Sequence, residues 1–151
     1  MKKVMHKLIL ITGIVFFVTV LLSSCSKSNS SSSSSQTAHD YFVNNLLGRD
    51  LAVTLAKNDT ADITANFAGY TFHLTDTASF GGTISASNLV RSYVGTWSID
   101  ANYQNITFTY PAQISSLAFI NKQWLISTMS TITISLTATS GTAATLQFKK
   151  L

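Results

Sequence analysis

The sequence predicts an all-β fold: a single antiparallel meander of about eight strands, closing as a barrel or a sandwich, with one or two short helices. Three observations support this. From Asp50 onward, apolar residues recur at every second position in one segment after another, the period of a half-buried antiparallel strand. Turn-forming residues (Gly81-Gly82, Asn102, Ser140-Gly141) punctuate those segments. Helical spacing is confined to brief stretches.

In chain order, "TAHDYFVNNLLG" comes first. It sets Thr37 three residues ahead of Asp40 and ends on Gly48, so a helix is expected there despite a poor apolar stripe. "DLAVTL" then puts Leu51, Val53 and Leu55 on one side of a first strand. "DTADITANFAG" has Asp59 and Asp62 in capping-box spacing, Ile63 and Phe67 four apart and Gly69 as a stop, so one or two helical turns should follow. "YTFHLT" aligns Tyr70, Phe72 and Leu74, and "TISAS" gives a less regular strand near Ile84. "TWSID" presents Trp97 and Ile99; "NITFTY" presents Ile106, Phe108 and Tyr110. "PAQISSLAFIN" opens on Pro111, the sole proline, where a ladder must stop, and reads as an irregular crossover with a turn of helix. "QWLISTM" around Trp124, "TITISLT" with Ile132, Ile134 and Leu136, and "LQFKK" with Leu146 and Phe148 complete the set.

The N-terminus has a different character. "MKKVMHK" is a positive n-region, and Leu8 to Leu22 is an apolar run shorter than the roughly 20 residues that span a bilayer, which is the layout of a cleaved leader. Ser23, Ser24 and Cys25 follow. Cys25 is the only cysteine, so it has no disulfide partner in the chain. Beyond it a serine tract runs to Gln36; such a segment cannot bury enough apolar surface to order itself and reads as a coil-like tether. Three parts result: residues 1–24 as signal peptide, 25–36 as anchor and tether, and 37–151 as the β domain.

Charge placement excludes one class of partner. The whole chain carries ten Lys and Arg, but Lys2, Lys3, Lys7 and Lys27 lie before the domain, leaving six against six aspartates and no glutamate. The domain is formally neutral and lacks a basic stripe, so it has no electrostatic footprint for nucleic acid. No His, Cys or carboxylate pair has metal-site spacing, and neither a metal nor another cofactor is expected. There is no G-x-S-x-G elbow. By strand parity His73 faces solvent beside Thr71 and Thr75, and the domain reads as non-enzymatic; a hydrolase using His73 is the remote alternative.

Leu22-Ser23-Ser24-Cys25 resembles the lipobox of bacterial lipoproteins. That resemblance implies cleavage before Cys25, a diacylglycerol on its sulfur and acylation of its new amine, so that Cys25 is spent as a membrane anchor. From Asp62 on, "DITANFAGYTFHL", "VGTWSID" leading into "NITFTYP", "LAFINKQWLIS" leading into "TITISL", and the closing "LQFKK" are similar to the small lipocalin-like lipoproteins of Bacteroidota. The resemblance implies a β-barrel on an outer-membrane anchor. Because Ser26-Lys27-Ser28-Asn29 lacks the acidic residues of surface-exported members, it favours the periplasmic face. The two Asp-Thr-Ala triplets, with Thr60 and Thr77 at their centres, resemble acceptors for O-glycosylation in the same group; Asp and Thr also simply suit turns.

An eight-stranded barrel is either filled by side chains or just able to hold one small ligand. The inward residues are large (Phe72, Trp97, Phe108, Tyr110, Trp124, Phe148), which predicts a filled interior and an accessory role towards another envelope component. In the alternative, a carrier of a small apolar ligand, Tyr70, Tyr93, Trp97, Tyr110 and Trp124 would line the pocket, their rings offering area and a polar tip.

Overall fold

The computed structural model describes the chain from Ser31 to Leu151; the leader and Cys25 lie outside the described residues. Helix α1 (Ser31–Asn45) is followed by β1 (Asp50–Asn58), the short β2 (Ala61–Asp62), β3 (Thr71–Ala78), β4 (Gly81–Ser87), β5 (Ser92–Ile99), β6 (Asn105–Thr109), β7 (Gln123–Met129), β8 (Thr133–Ala138) and β9 (Ala144–Lys150). Two 3-10 segments, Thr64–Phe67 and Ser115–Leu117, sit in the longer connections. Apart from β2, which pairs only with β1, each strand lies antiparallel to the next. β9 returns to β1 along a ladder from Leu51↔Lys150 to Asn58↔Ala144, closing the barrel and leaving no long edge open.

The alternation read from the sequence fills the interior. Phe72 and Leu74 of β3, Ile84 and Ala86 of β4, Trp97 and Ile99 of β5, and Ile106 and Phe108 of β6 are buried, as are Trp124, Ile134, Leu136, Leu146 and Phe148. The Phe148 ring of β9 lies 5.2 Å from that of Phe72 and 6.1 Å from that of Phe108, so aromatic rings meet across the barrel in its middle layer. No polar or charged residue among the described ones is fully buried.

Three local expectations are corrected and one is refined. Leu55 does not continue the inward row of Leu51 and Val53. A β-bulge between Val53 and Leu55 shifts the register, and the next fully buried residue is Ala56; Thr54 turns outward and donates from Oγ1 to Gln147 Oε1 at 2.9 Å. Ile132 lies in the turn before β8 and is exposed, because β8 starts at Thr133. The helical turn expected after β1 forms as a 3-10 helix of four residues. Asp59, at φ +57°, and the β1–β2 pairing take up the segment's first residues, and only a few remain before Gly69 turns the chain at φ +79°. Finally, α1 starts at Ser31, so the last serines of the tract are helical. A helix held further along by buried Phe42 and Leu46 extends backwards through serine at small cost, because nucleation has already been met.

Candidate functional site

The two ends of the barrel differ. At the helix end, α1 covers the turns joining β3 to β4 and β5 to β6. Phe42 packs at 5.3 Å from Trp97 and 5.8 Å from Tyr103, and Phe80 sits 6.0 Å from Tyr103. The Trp97 indole N–H donates to the Thr75 carbonyl at 3.0 Å. Gly82 makes that approach possible, since a Cβ there would lie 1.8 Å from Thr75 O and 2.9 Å from Trp97 Nε1. A cavity of about 40 Å3 remains beneath the helix, lined by Phe42, Trp97, Ile99 and Tyr103 among others, enough for a water or two. Outside the barrel, an open groove of about 390 Å3 runs between α1 and the β7–β8 turn, lined by Asp40, Tyr41, Asn44, Asn45 and Thr131.

The crossover end is closed by the two 3-10 segments. Phe67 of the first and Leu117 of the second are buried, with Ile120 just beyond. Phe119 bridges them, 6.0 Å from Phe67 and 5.5 Å from Trp124. The Trp124 indole donates to Ile120 O at 3.0 Å, and Lys122 Nζ stands 4.9 Å and 5.3 Å above the Phe119 and Trp124 rings. At the rim, Tyr70 and Tyr93 stack at 6.4 Å, and Arg91 donates from Nη1 to Tyr93 Oη at 3.2 Å. That guanidinium holds the Tyr93 phenol below its ordinary pKa. The β1–β3 ladder is short here, with only Asp50↔His73 and Leu51↔Phe72 in register. Above it, Ile63 N donates to Ala56 O and the Thr64 hydroxyl accepts from Ala56 N, both at 2.9 Å.

Tyr110 stands apart. Asn121 clamps its backbone, accepting from Tyr110 N at 2.6 Å and donating to Tyr110 O at 3.0 Å. Its ring lies over Gly95, where a Cβ would come within 2.8 Å of Tyr110 Cδ1. The side chain is buried, and its hydroxyl has no hydrogen-bond partner, the one such buried side-chain atom among the described residues. Burial pushes this phenol above its ordinary pKa, so the group is neutral and able both to donate and to accept.

The five aromatic residues expected to line a pocket do not converge. Tyr70, Tyr93, Tyr110 and Trp124 belong to the crossover end; Trp97 belongs to the helix end. Of the residues that close the barrel, sequence patterning marked Phe67 by its helical spacing from Ile63 but did not single out Phe42, Leu117 and Ile120, which lie in segments without strand alternation. Thr60, in the turn before β2, and Thr77, late in β3, are exposed. His73 does face outward, and its Nδ1 donates to Asp50 Oδ1 at 2.9 Å. Ser85 is its cross-strand partner on the other side, but no hydrogen bond joins His73 to Ser85. Among the described residues no three His, Cys, Asp or Glu gather where a metal could bind, and no helix is long and apolar enough to cross a membrane. Cys25 lies outside the described residues.

A closed up-and-down meander of eight strands, with an apolar interior and a helix packed over one end, defines a lipocalin-like β-barrel. Among solved structures the chain is similar to Japanin from Rhipicephalus appendiculatus, determined in complex with cholesterol. The two are 7% identical with a TM-score of 0.55, over 72% of this chain and 78% of that one. At that identity the likeness is one of fold. No family model matches the sequence, and no curated protein does.

Proposed function

We propose that this chain is a non-enzymatic, lipid-anchored carrier of the bacterial envelope, whose barrel takes one small, largely apolar molecule bearing a hydrogen-bonding group. The observation that carries the reading is the Tyr110 hydroxyl, buried without a partner in an otherwise apolar interior. Burying such a group unbonded costs about 1–3 kcal/mol, and a guest with one hydroxyl or carbonyl would remove that cost. Japanin, similar in fold, binds cholesterol, a largely apolar molecule with one hydroxyl, and this supports the reading. Because Phe72, Phe108 and Phe148 fill the middle layer, the guest lies between them and the 3-10 segments. It enters where the β1–β3 ladder is shortest, displacing Phe67 or Leu117. The anchor is acylated Cys25, on the periplasmic face of the outer membrane.

Native mass spectrometry of the full chain released from detergent micelles tests this. The expected spectrum contains a satellite of the protein mass carrying one small apolar molecule, weakened in Tyr110→Phe. A bare protein mass in repeated preparations, with no uptake of an added sterol, would favour the other reading: a filled barrel acting as an accessory module through its outer surface. The ring contacts across the middle layer are the observation on that side.

A further inference from the structure

The β4–β5 hairpin ends in "NLVR", and its tip is unlike the other turns. Leu89 is 105% exposed and Val90 85% exposed, the two most exposed large apolar residues described. The turn that presents them is fixed. Asn88 N donates to Arg91 O at 2.9 Å, and Asn88 Oδ1 accepts from Val90 N at 3.0 Å and from Arg91 N at 2.8 Å. The Asn88 side chain thus holds two aliphatic side chains in water; neither has a positive φ, so the turn accepts most residues there and does not itself require aliphatic ones. Nothing in the folded domain gains from that placement.

The charge of the hairpin itself and of the crossover beside it has one sign, while Asp59 and Asp62 lie at the same end of the barrel in and beside the β1–β2 turn. The hairpin from Gly81 to Ile99 and the neighbouring crossover from Tyr110 to Lys122 carry Arg91 and Lys122 and no acidic residue. The Arg91 guanidinium is kept beside the tip by its bond to Tyr93 Oη. An aliphatic point with a basic collar suits the boundary of an anionic bilayer, where apolar side chains pass the headgroups and the cations remain among them.

We infer that the Leu89–Val90 tip inserts into the surface of an anionic bilayer, with Arg91 at headgroup level. This inference does not rest on the carrier reading.

The test uses the full chain in a Cys25→Ser background, with a polarity-sensitive dye on Val90→Cys, reconstituted into vesicles of phosphatidylethanolamine and phosphatidylglycerol. The dye at 90 should shift to the blue and be quenched by nitroxides on the acyl chains, whereas a dye on Thr131→Cys at the helix end stays aqueous. Adding Leu89→Asp should abolish the shift, while the emission of buried Trp97 and Trp124 reports an unchanged fold. Position 90 as aqueous as 131 would overturn the inference. So would an equal blue shift without vesicles, which marks contact between copies, or an equal shift on vesicles of phosphatidylcholine alone, which removes the role of anionic lipid.

Discussion

Three polar aromatic side chains reach into this barrel, and they fare differently. The Trp97 and Trp124 indoles each find a backbone carbonyl at 3.0 Å, so burying them leaves no donor unmet. Tyr110 finds none, and its ring lies over Gly95, where a Cβ would clash with it. Tyr110→Phe therefore removes a desolvated oxygen without opening a hole. In protein stripped of bound lipid the substitution should raise stability by about 1–3 kcal/mol, read from the urea midpoint at constant m. A loss of that size in the stripped protein would show that the hydroxyl already has a partner in the fold, and the carrier reading would lose its support. At this scale the sequence was least informative. It marked Tyr110 among five aromatic candidates, but which of them lacks a bond depends on carbonyls from distant strands and turns.

Elements were legible in proportion to how far their own periodicity, and not a neighbour's geometry, decides their form. β3, β5, β6, β8 and β9 follow the period-two pattern, because each has one face on the core and one in water, and the pleat sorts residues accordingly. The bulge in β1 is invisible to that pattern: it arises where closure with β9 and the short ladder with β3 demand extra bend, and it replaces Leu55 by Ala56 inside. The segments closing the two ends have no alternation to read, and their roles come from what they cover. Helix α1 shows this most clearly. Its apolar stripe is poor, yet Phe42 is 1% exposed against Trp97 and Tyr103. Truncating such a residue removes both transfer energy and packing, so Phe42→Ala should cost about 3 kcal/mol. Because α1 touches the barrel only at one end, amide exchange should quicken along α1 while β9 amides stay protected. Equal acceleration in both would mean that helix and barrel unfold as one unit.

For the whole molecule, the domain's neutrality matters less than where the chain is held. A formally neutral barrel has little long-range attraction to a charged surface, so a membrane role depends on a hydrophobic anchor. On the proposed reading that anchor is Cys25, the only thiol, directly after an apolar run and two serines. Each methylene buried by an attached chain contributes about 0.8 kcal/mol, and one chain alone binds reversibly, so a stable hold needs two or three chains or one chain and a second contact. The exposed Leu89–Val90 tip would be such a contact, and with both engaged the barrel cannot turn freely about its tether. Feeding cells an alkyne fatty acid should label the wild-type chain and leave Cys25→Ser unlabelled, with the wild type in the membrane fraction after leader cleavage. Equal labelling of the two, or a mature wild-type chain with a free thiol in the aqueous fraction, would remove the anchor. The tip would then be the one hydrophobic contact left, and Leu89→Asp should by itself release the mature protein from vesicles.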